Sequence, residues 1–524
     1  MTSPDDHPAS PLPTPRPEVR YTPINRLDGI TESERYLQRL CERSFLRLWS
    51  YPGVYRDQGL SQRKEGKEVS DLLVVFGNNI VIFSDKRCAF PDTGNLQQDW
   101  TRWFRRAVFK SAEQIWGAER WILGSPDRLR LDRRCTVPFP LVLPPRDRAR
   151  VHRVVVAHGV SDRCRAYHGG TGTLMITPYI TGEAHFNYPA QPVMPFAVGD
   201  IDAARGFVHI LDDQALDTLL STLDTLPDFL RYLDRKEALV RSGRLGGATG
   251  EDDLLAIYLT NMDAEGHCFP IPEEATGVFF EEGFWQDFES NPQRIAQIEA
   301  NQVSYLWDAL IEEFTTHMLA GTSSFRSHDE VAEIEPALRY MAGEPRVRRR
   351  MLALSLADAL ERKPHGSNRH FVRVNGSPNP FDPWYVFLTL EHKPGESNDE
   401  YRKHRRLVLE SYSLVVRYLN PSVPAVVGLA MEPGLARKAR SEDILAFDAR
   451  DWSPEAEERA RYLHHEGGLL REQRKFAATV HEYPATAPAS DSPRPTSPLS
   501  AGPNPRNKPC PCGSGLKFKK CCGR

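Results

Sequence analysis

The stretch Glu68-Val69-Ser70-Asp71-Leu72-Leu73-Val74-Val75-Phe76-Gly77-Asn78-Asn79-Ile80-Val81-Ile82-Phe83-Ser84-Asp85-Lys86 holds two apolar runs separated by a Gly/Asn cluster. Such a pattern predicts a β-hairpin. Both faces of both strands are apolar, so the pair is expected inside a sheet covered on both sides. Asp71, Asp85 and Lys86 interrupt or end the strands. A buried carboxylate is costly unless it is paired or bound to metal. Which faces these residues share depends on the turn. With Asn78-Asn79 as a two-residue loop, Asp71 faces Lys86, Ser84 shares their face, and Asp85 points away. With Gly77-Asn78-Asn79 as the loop, Asp71 sits opposite Asp85, with Cβ atoms about 4.5–5.5 Å apart. The first register predicts a weakened metal site with Glu68 or Glu42 compensating. The second predicts an acid pair that one ion can bridge. A third reading leaves Asp85 and Lys86 at a solvated strand end, with Asp71 paired to an arginine of the next helix.

Outward from the hairpin, Thr31-x-x-Glu34 is a capping box, and Leu37, Leu40, Cys41, Phe45 and Leu48 follow at helical spacing. A long helix is predicted over 98–122, with strands at 151–157 and 173–180. Residues 207–240 include a leucine-spaced helix. Helices are expected over 249–260, 294–318, 329–343, 345–361 and 397–418, and strands at 370–374, 384–392 and 423–430. The fold class is therefore α+β, a mixed α/β core (25–245) followed by a second α+β domain (246–482). The boundary is drawn from the glycine density of Gly243–Gly250. Residues 1–24 are Pro-rich and polar and are expected to be disordered. Residues 483–505 are a Pro/Ser/Ala linker. Residues 506–524 form a small module.

Helix, hairpin with Asp71 and Lys86, then long helix is an order similar to the restriction-endonuclease-like nucleases. Their PD-(D/E)xK motif is Asp, a spacer, then Asp/Glu-x-Lys on the next strand. Asp71 matches the first acid and Lys86 the lysine. Position 84 is Ser, and Asp85 comes one residue late. The resemblance implies a restriction-endonuclease-like N-terminal domain. It also implies catalytic roles for Asp71, Asp85 and Lys86, magnesium or manganese as the cofactor, and nucleic acid as the substrate. Acids beside a lysine suit that chemistry, because Mg²⁺ takes carboxylate oxygens and activates water. Lys110 and Gln114, on the following helix, are placed to approach such a site.

The tail is Asn507-Lys508-Pro509-Cys510-Pro511-Cys512-Gly513-Ser514-Gly515-Leu516-Lys517-Phe518-Lys519-Lys520-Cys521-Cys522-Gly523-Arg524. Two close cysteine pairs can place four sulfurs around zinc, and metal binding would supply most of the folding free energy of so short a segment. A reactive thiol cluster or a disulfide is the other use of such cysteines. The string resembles the SEC-C motif, the zinc-binding tail of SecA preprotein translocase ATPases. By that likeness Cys510, Cys512, Cys521 and Cys522 are the ligands of a structural zinc. The likeness also implies a protein partner of the chaperone class (SecB, in SecA) and acidic lipid. Lys508, Lys517, Lys519, Lys520 and Arg524 make the tail basic, which suits an anionic partner. The motor itself is not implied, since no G-x-x-x-x-G-K-[S/T] loop occurs.

The chain of 524 residues is 40% hydrophobic and 26% charged, with net charge −3, so nucleic-acid contact would have to come from local patches. No apolar run approaches the ~20 residues of a membrane span, and the N-terminus lacks the apolar region of a signal peptide. Cys41, Cys88, Cys135, Cys164 and Cys268 are scattered and read as reduced. These features point to the cytoplasm. The run Arg346-Val347-Arg348-Arg349-Arg350 reads as a charged helix face rather than a nucleic-acid patch. Asp212-Asp213 and Glu251-Asp252-Asp253 read as acids at helix N-termini.

Overall fold

The computed structural model describes residues 23–322, 331–362, 370–434, 442–448, 452–472, 477, 479–484 and 520. The chain divides into two units, Met1–Pro484 and Ala485–Arg524. Residues 1–22, the linker beyond Pro484 and the four tail cysteines lie outside the described residues. The class is α+β.

Thr31 caps α1 (Glu32–Phe45): its hydroxyl accepts from the Glu34 N–H, and Glu34 accepts from the Thr31 N–H. Leu37, Leu40, Cys41 and Phe45 turn into the core. Next come β1 (Ser50–Arg56), the short helix α2 (Leu60–Arg63) and the hairpin β2 (Lys67–Phe76) and β3 (Asn79–Arg87). The long helix is α3 (Leu96–Phe104) and α4 (Lys110–Gly124), joined by a π-helical turn over Arg105–Phe109. Then follow β4 (Leu129–Arg130), β5 (Arg150–His158), α5 (Ser161–His168), β6 (Met175–Ile176) and β7 (Ala197–Val198). The leucine-spaced region is a strand and two helices: β8 (Val208–Leu211), α6 (Asp213–Thr222) and α7 (Leu226–Arg241). Asp212 caps α6 by accepting from the Ala215 N–H, and Pro227 in the first turn of α7 separates the helices.

The main sheet has the order β4-β1-β2-β3-β5-β8. β1, β2 and β3 are antiparallel; β3, β5 and β8 are parallel. Phe83 meets Phe45 of α1 and Phe229 of α7, both at 6.5 Å between ring centroids, so these helices cover one face. Ile82 is level with Arg153, which bonds Glu119 of α4 at 2.7 Å, so α4 covers the other. The double-sided burial expected of the hairpin follows from this sandwich.

The glycine-dense Gly243–Gly250 contains β9 (Leu245–Ala248), followed by α8 (Glu251–Thr260), β10 (Met262–Asp263), β11 (Gly266–His267) and β12 (Val278–Phe280). A second sheet runs β12-β9-β6-β7, so β9 bonds to segments on both sides of it in sequence. Helices α9 (Phe284–Ser290), α10 (Pro292–Ala300), α11 (Tyr305–Leu319), α12 (Val331–Ala342) and α13 (Arg346–Glu361) follow. The third sheet, β13 (His370–Asn375), β14 (Trp384–Leu390), β15 (Ala425–Met431) and β16 (Asp443–Asp448), is packed by α14 (Asn398–Leu419), against which α15 (Pro454–His465) lies.

The arginine run is not a solvated face. Arg346, Arg349 and Arg350 are buried. Arg346 pairs with Asp224 and Asp308 at 2.8 Å each, and Arg349 with Asp308 at 2.7 Å. Guanidinium groups tolerate burial when their fork is filled by carboxylates. Arg350 instead bonds the backbone carbonyls of His481 and Glu482, near the end of the first unit.

Candidate active site

The turn decides the site. Gly77-Asn78 is the two-residue loop, because Phe76 pairs with Asn79 and Leu72 with Phe83. Gly77 has φ +57°, the geometry in which glycine leads the turn. Neither register expected from sequence forms. Carried one step further, the observed register puts Asp71 across from Ser84, and Asp85 one residue off. The pairing itself stops at Leu72–Phe83. There Asp71 replaces the missing ladder partner: its Oδ2 accepts the Asp85 N–H at 2.6 Å.

Asp85 is not at a solvated strand end. Its side chain is 1% exposed, and its Oδ1 lies 2.6 Å from His158 Nε2 on β5. Its Oδ2 is buried with no partner among the described residues. Burial disfavours the His158 imidazolium, but the hydrogen bond and charge of Asp85, with Asp213 beyond, outweigh it and raise the pKa. Lys86 is exposed. Lys110 and Gln114 are exposed on α4. The three residues expected to act together therefore separate into a backbone-holding acid, a histidine-paired acid and a surface lysine.

A different set of acids gathers at Asp71. Pro52 pairs with Leu72 and Val54 with Ser70, which puts Gly53 across from Asp71; Tyr55 pairs with Glu68 past a bulge. Gly53 has φ +59°, and a Cβ there would lie 3.9 Å from Glu68 Oε1. Glu68 is partly buried, and burial, then the charges of Asp71 and Glu34, push its carboxyl up to about 7. Burial pushes Asp71 up to about 6; the Asp85 N–H and the Ser84 hydroxyl oppose this, and the charges of Glu34 and Asp85 add to it. Glu34 spends Oε2 on the N–H groups of Ile30 and Thr31, at 2.6 and 3.1 Å. Shifted carboxyls that repel one another mark candidate sites for a cation or a proton transfer.

A cavity of about 310 Å³ opens on Glu34 and Gly53, with Asp28, Tyr55 and Arg133 also in its lining; Glu68 and Asp71 are not part of that lining. Sequence reasoning named Glu68 as a compensating acid and Glu34 as a cap. It missed His158 and Arg133, whose positions depend on pairings far apart in the chain. Among the described residues no group of three or more His, Cys, Asp or Glu side chains is placed to hold one metal ion. Asp212-Asp213 and Glu251-Asp252-Asp253 do open helices α6 and α8.

Residues 506–524 match the SEC-C motif family, so the tail carries that motif. Over 52 residues the chain is 50% identical to the protein translocase subunit SecA of Geobacter metallireducens, which is 10% of this chain and 5% of that protein. The chain thus corresponds to a small fraction of its relative's length. No solved structure matches. Among the described residues no helix is long and apolar enough to cross a membrane.

Proposed function

We propose that the protein is a divalent-cation-dependent phosphodiesterase with a nuclease-like body (25–245), brought to a protein partner by a zinc-binding SEC-C tail. The observation that carries this reading is the acid group on β2: Asp71 and Glu68 are pushed up to about 6 and about 7, chiefly by burial, with the charge of Asp71 adding to the shift of Glu68, and Gly53, across from Asp71 and close to Glu68, lines an open cavity. Mg²⁺ is commonly held by one or two carboxylates, with water and phosphate oxygens completing the shell, so no three-residue cage is required. Asp71 and Glu68 are the residues that would hold magnesium or manganese, and the ion would polarise a phosphoryl oxygen and acidify water. Asp85 serves this arrangement from behind: its N–H orients Asp71, and its carboxylate orients His158. Lys86 supplies positive charge at the strand end for an anionic substrate. The place of action is the cytoplasm.

For the tail, Cys510, Cys512, Cys521 and Cys522 bind zinc in a closed, structural site. The basic residues around them dock an acidic partner of the chaperone class, as the likeness to SecA suggests. The region 246–482 buttresses the body.

A second reading, a binding protein without catalysis, is favoured by one observation: Asp85 is taken up by His158 and withdrawn from any acid pair. A nuclease assay in Mg²⁺ or Mn²⁺ separates the two. Activity lost in Asp71→Ala supports the enzyme; activity indifferent to that substitution sinks it, and an inert native chain favours the second reading. Zinc should be stoichiometric in the native chain and near zero in the double variant Cys510→Ser, Cys512→Ser. Zinc retained by the variant places the metal elsewhere.

A further inference from the structure

The cavity that Gly53 lines holds charges of both signs, the acids Asp28 and Glu34 and the guanidinium of Arg133. Arg133 lines the same cavity; its Nε donates to the Tyr55 hydroxyl at 3.3 Å, and the charges of Glu65 and Glu68 act on it. The loop carrying Arg133 is fixed. Asp132 Oδ1 accepts the N–H groups of Thr136 and Val137, each at 2.8 Å, and the Arg133 carbonyl accepts the Gly66 N–H at 2.7 Å. Gly66 has to be glycine for this approach, since a Cβ would fall 2.4 Å from Cys135 Sγ and 2.7 Å from the Arg56 carbonyl. Thus the start of β2, which carries Glu68, and the Arg133 loop are built against each other. The rim adds a third feature. Leu27 and Ile30 line the cavity yet are 41% and 51% exposed, large apolar side chains without cover.

We propose that this cavity admits one unpaired nucleotide, with its phosphate on Arg133 and its base against Leu27 and Ile30. The inference rests on the phosphodiesterase reading, in which a cation on Glu68 and Asp71 offsets the acids. A guanidinium fork matches a phosphate. An uncovered aliphatic rim suits the face of a base through apolar contact, which every base offers alike. At about 310 Å³ the cavity is near the lower bound for a ligand pocket, room for one nucleotide and not for the two complete nucleotides of a base pair. The substrate class is therefore single-stranded or end-frayed nucleic acid rather than continuous duplex. Tyr55 acts through Arg133 and is a positioning residue.

The test is fluorescence anisotropy with the full chain in Ca²⁺, using a labelled single-stranded dodecanucleotide and the blunt duplex of the same sequence. The single strand should bind at least about tenfold tighter. Arg133→Ala should weaken it by about tenfold, the loss of one charge-assisted contact. Tyr55→Phe should give a smaller loss, and Arg459→Ala, on the distant helix α15, none. Equal affinity for strand and duplex overturns the proposal. So does an Arg133→Ala chain with native melting and undiminished binding, or a loss as large in Arg459→Ala. Selective binding by a chain that cleaves nothing would sink the phosphodiesterase reading and leave this inference standing. Cleavage that depends on Asp71 but not on Arg133 would sink this inference alone.

Discussion

Asp71 does two jobs that pull its ionisation in opposite directions. As an ion it accepts the Asp85 N–H at 2.6 Å; as a partly buried group within reach of the charges of Glu34 and Asp85 it is held up to about 6. A carboxyl whose folded pKa lies above its unfolded value contributes stability that is complete below the unfolded pKa. That contribution is lost as pH rises through the folded one. For Asp71 the window runs from its ordinary 3.8 to about 6. Asn at this position can still accept the Asp85 N–H and never ionises. Asp71→Asn should therefore match the native chain near pH 4 and exceed it by about 1–2 kcal/mol at pH 8, allowing for solvent screening. Denaturant unfolding at the two pH values measures this. An identical effect at both would mean that Asp71 ionises as easily folded as unfolded. Asp71 was legible in the sequence because a lone acid inside an apolar strand is costly and demands a reason. His158 was not, because its link to Asp85 joins residues 73 apart through a parallel strand pairing.

The hairpin shows where element-scale reading stops. Its strands and its two-sided burial follow from the apolar runs, but its register rests on which two residues turn. Three candidates, Gly77, Asn78 and Asn79, all tolerate turn geometry. Glycine at the first loop position, with φ +57°, settles it. The result differs by two residues from the first expected register, so the faces agree while the partners do not. Ser84 shares Asp71's side, Asp85 faces away, and Glu68 joins the cluster. The capping box at Thr31 was a local signal, and α1 begins one residue after it; the structure shows a second box, at Ser397, opening α14. The region 207–240 does hold the leucine-spaced helix, but as two helices, because Thr225 caps a new start at Leu226 and Pro227 sits in its first turn; the sequence reading misses the strand Val208–Leu211 ahead of them. The arginines of α13 misled. A basic run looks solvated until the tertiary fold supplies Asp224 and Asp308.

At the scale of the whole molecule, a single hydrophobic cluster runs from Leu37 through Trp307 to Met431, so the main sheet and the later elements stabilise each other. The last described segment of the first unit closes onto this body. Tyr483 donates to the Leu259 carbonyl at 3.0 Å and packs edge-on against Phe288. Glu482 accepts from Gln297 at 3.1 Å and lies 3.0 Å from His267 Nε2. Arg350, one of the buried arginines of α13, bonds the carbonyls of His481 and Glu482. These contacts join β11, α8, α9, α10 and α13 through three residues, which makes residues 481–483 a structural part of the body rather than the first piece of a linker. A chain ending after Pro484 and a chain ending after Val480 differ only in this segment and Pro484. The longer should be the more stable by about 2–3 kcal/mol, the worth of burying one aromatic side chain, and scanning calorimetry should place its melting temperature several degrees higher. Tyr483→Ala in the longer chain should recover most of the difference, because the ring carries the apolar contact. If both chains melt together, the segment lies on the body without holding it. If Tyr483→Ala is silent while the shorter chain is weakened, the ion pair of Glu482 with His267 and the Arg350 contacts hold the segment. The loss would then shrink as pH rises through the raised pKa of His267, where the imidazolium paired to Glu482 is given up.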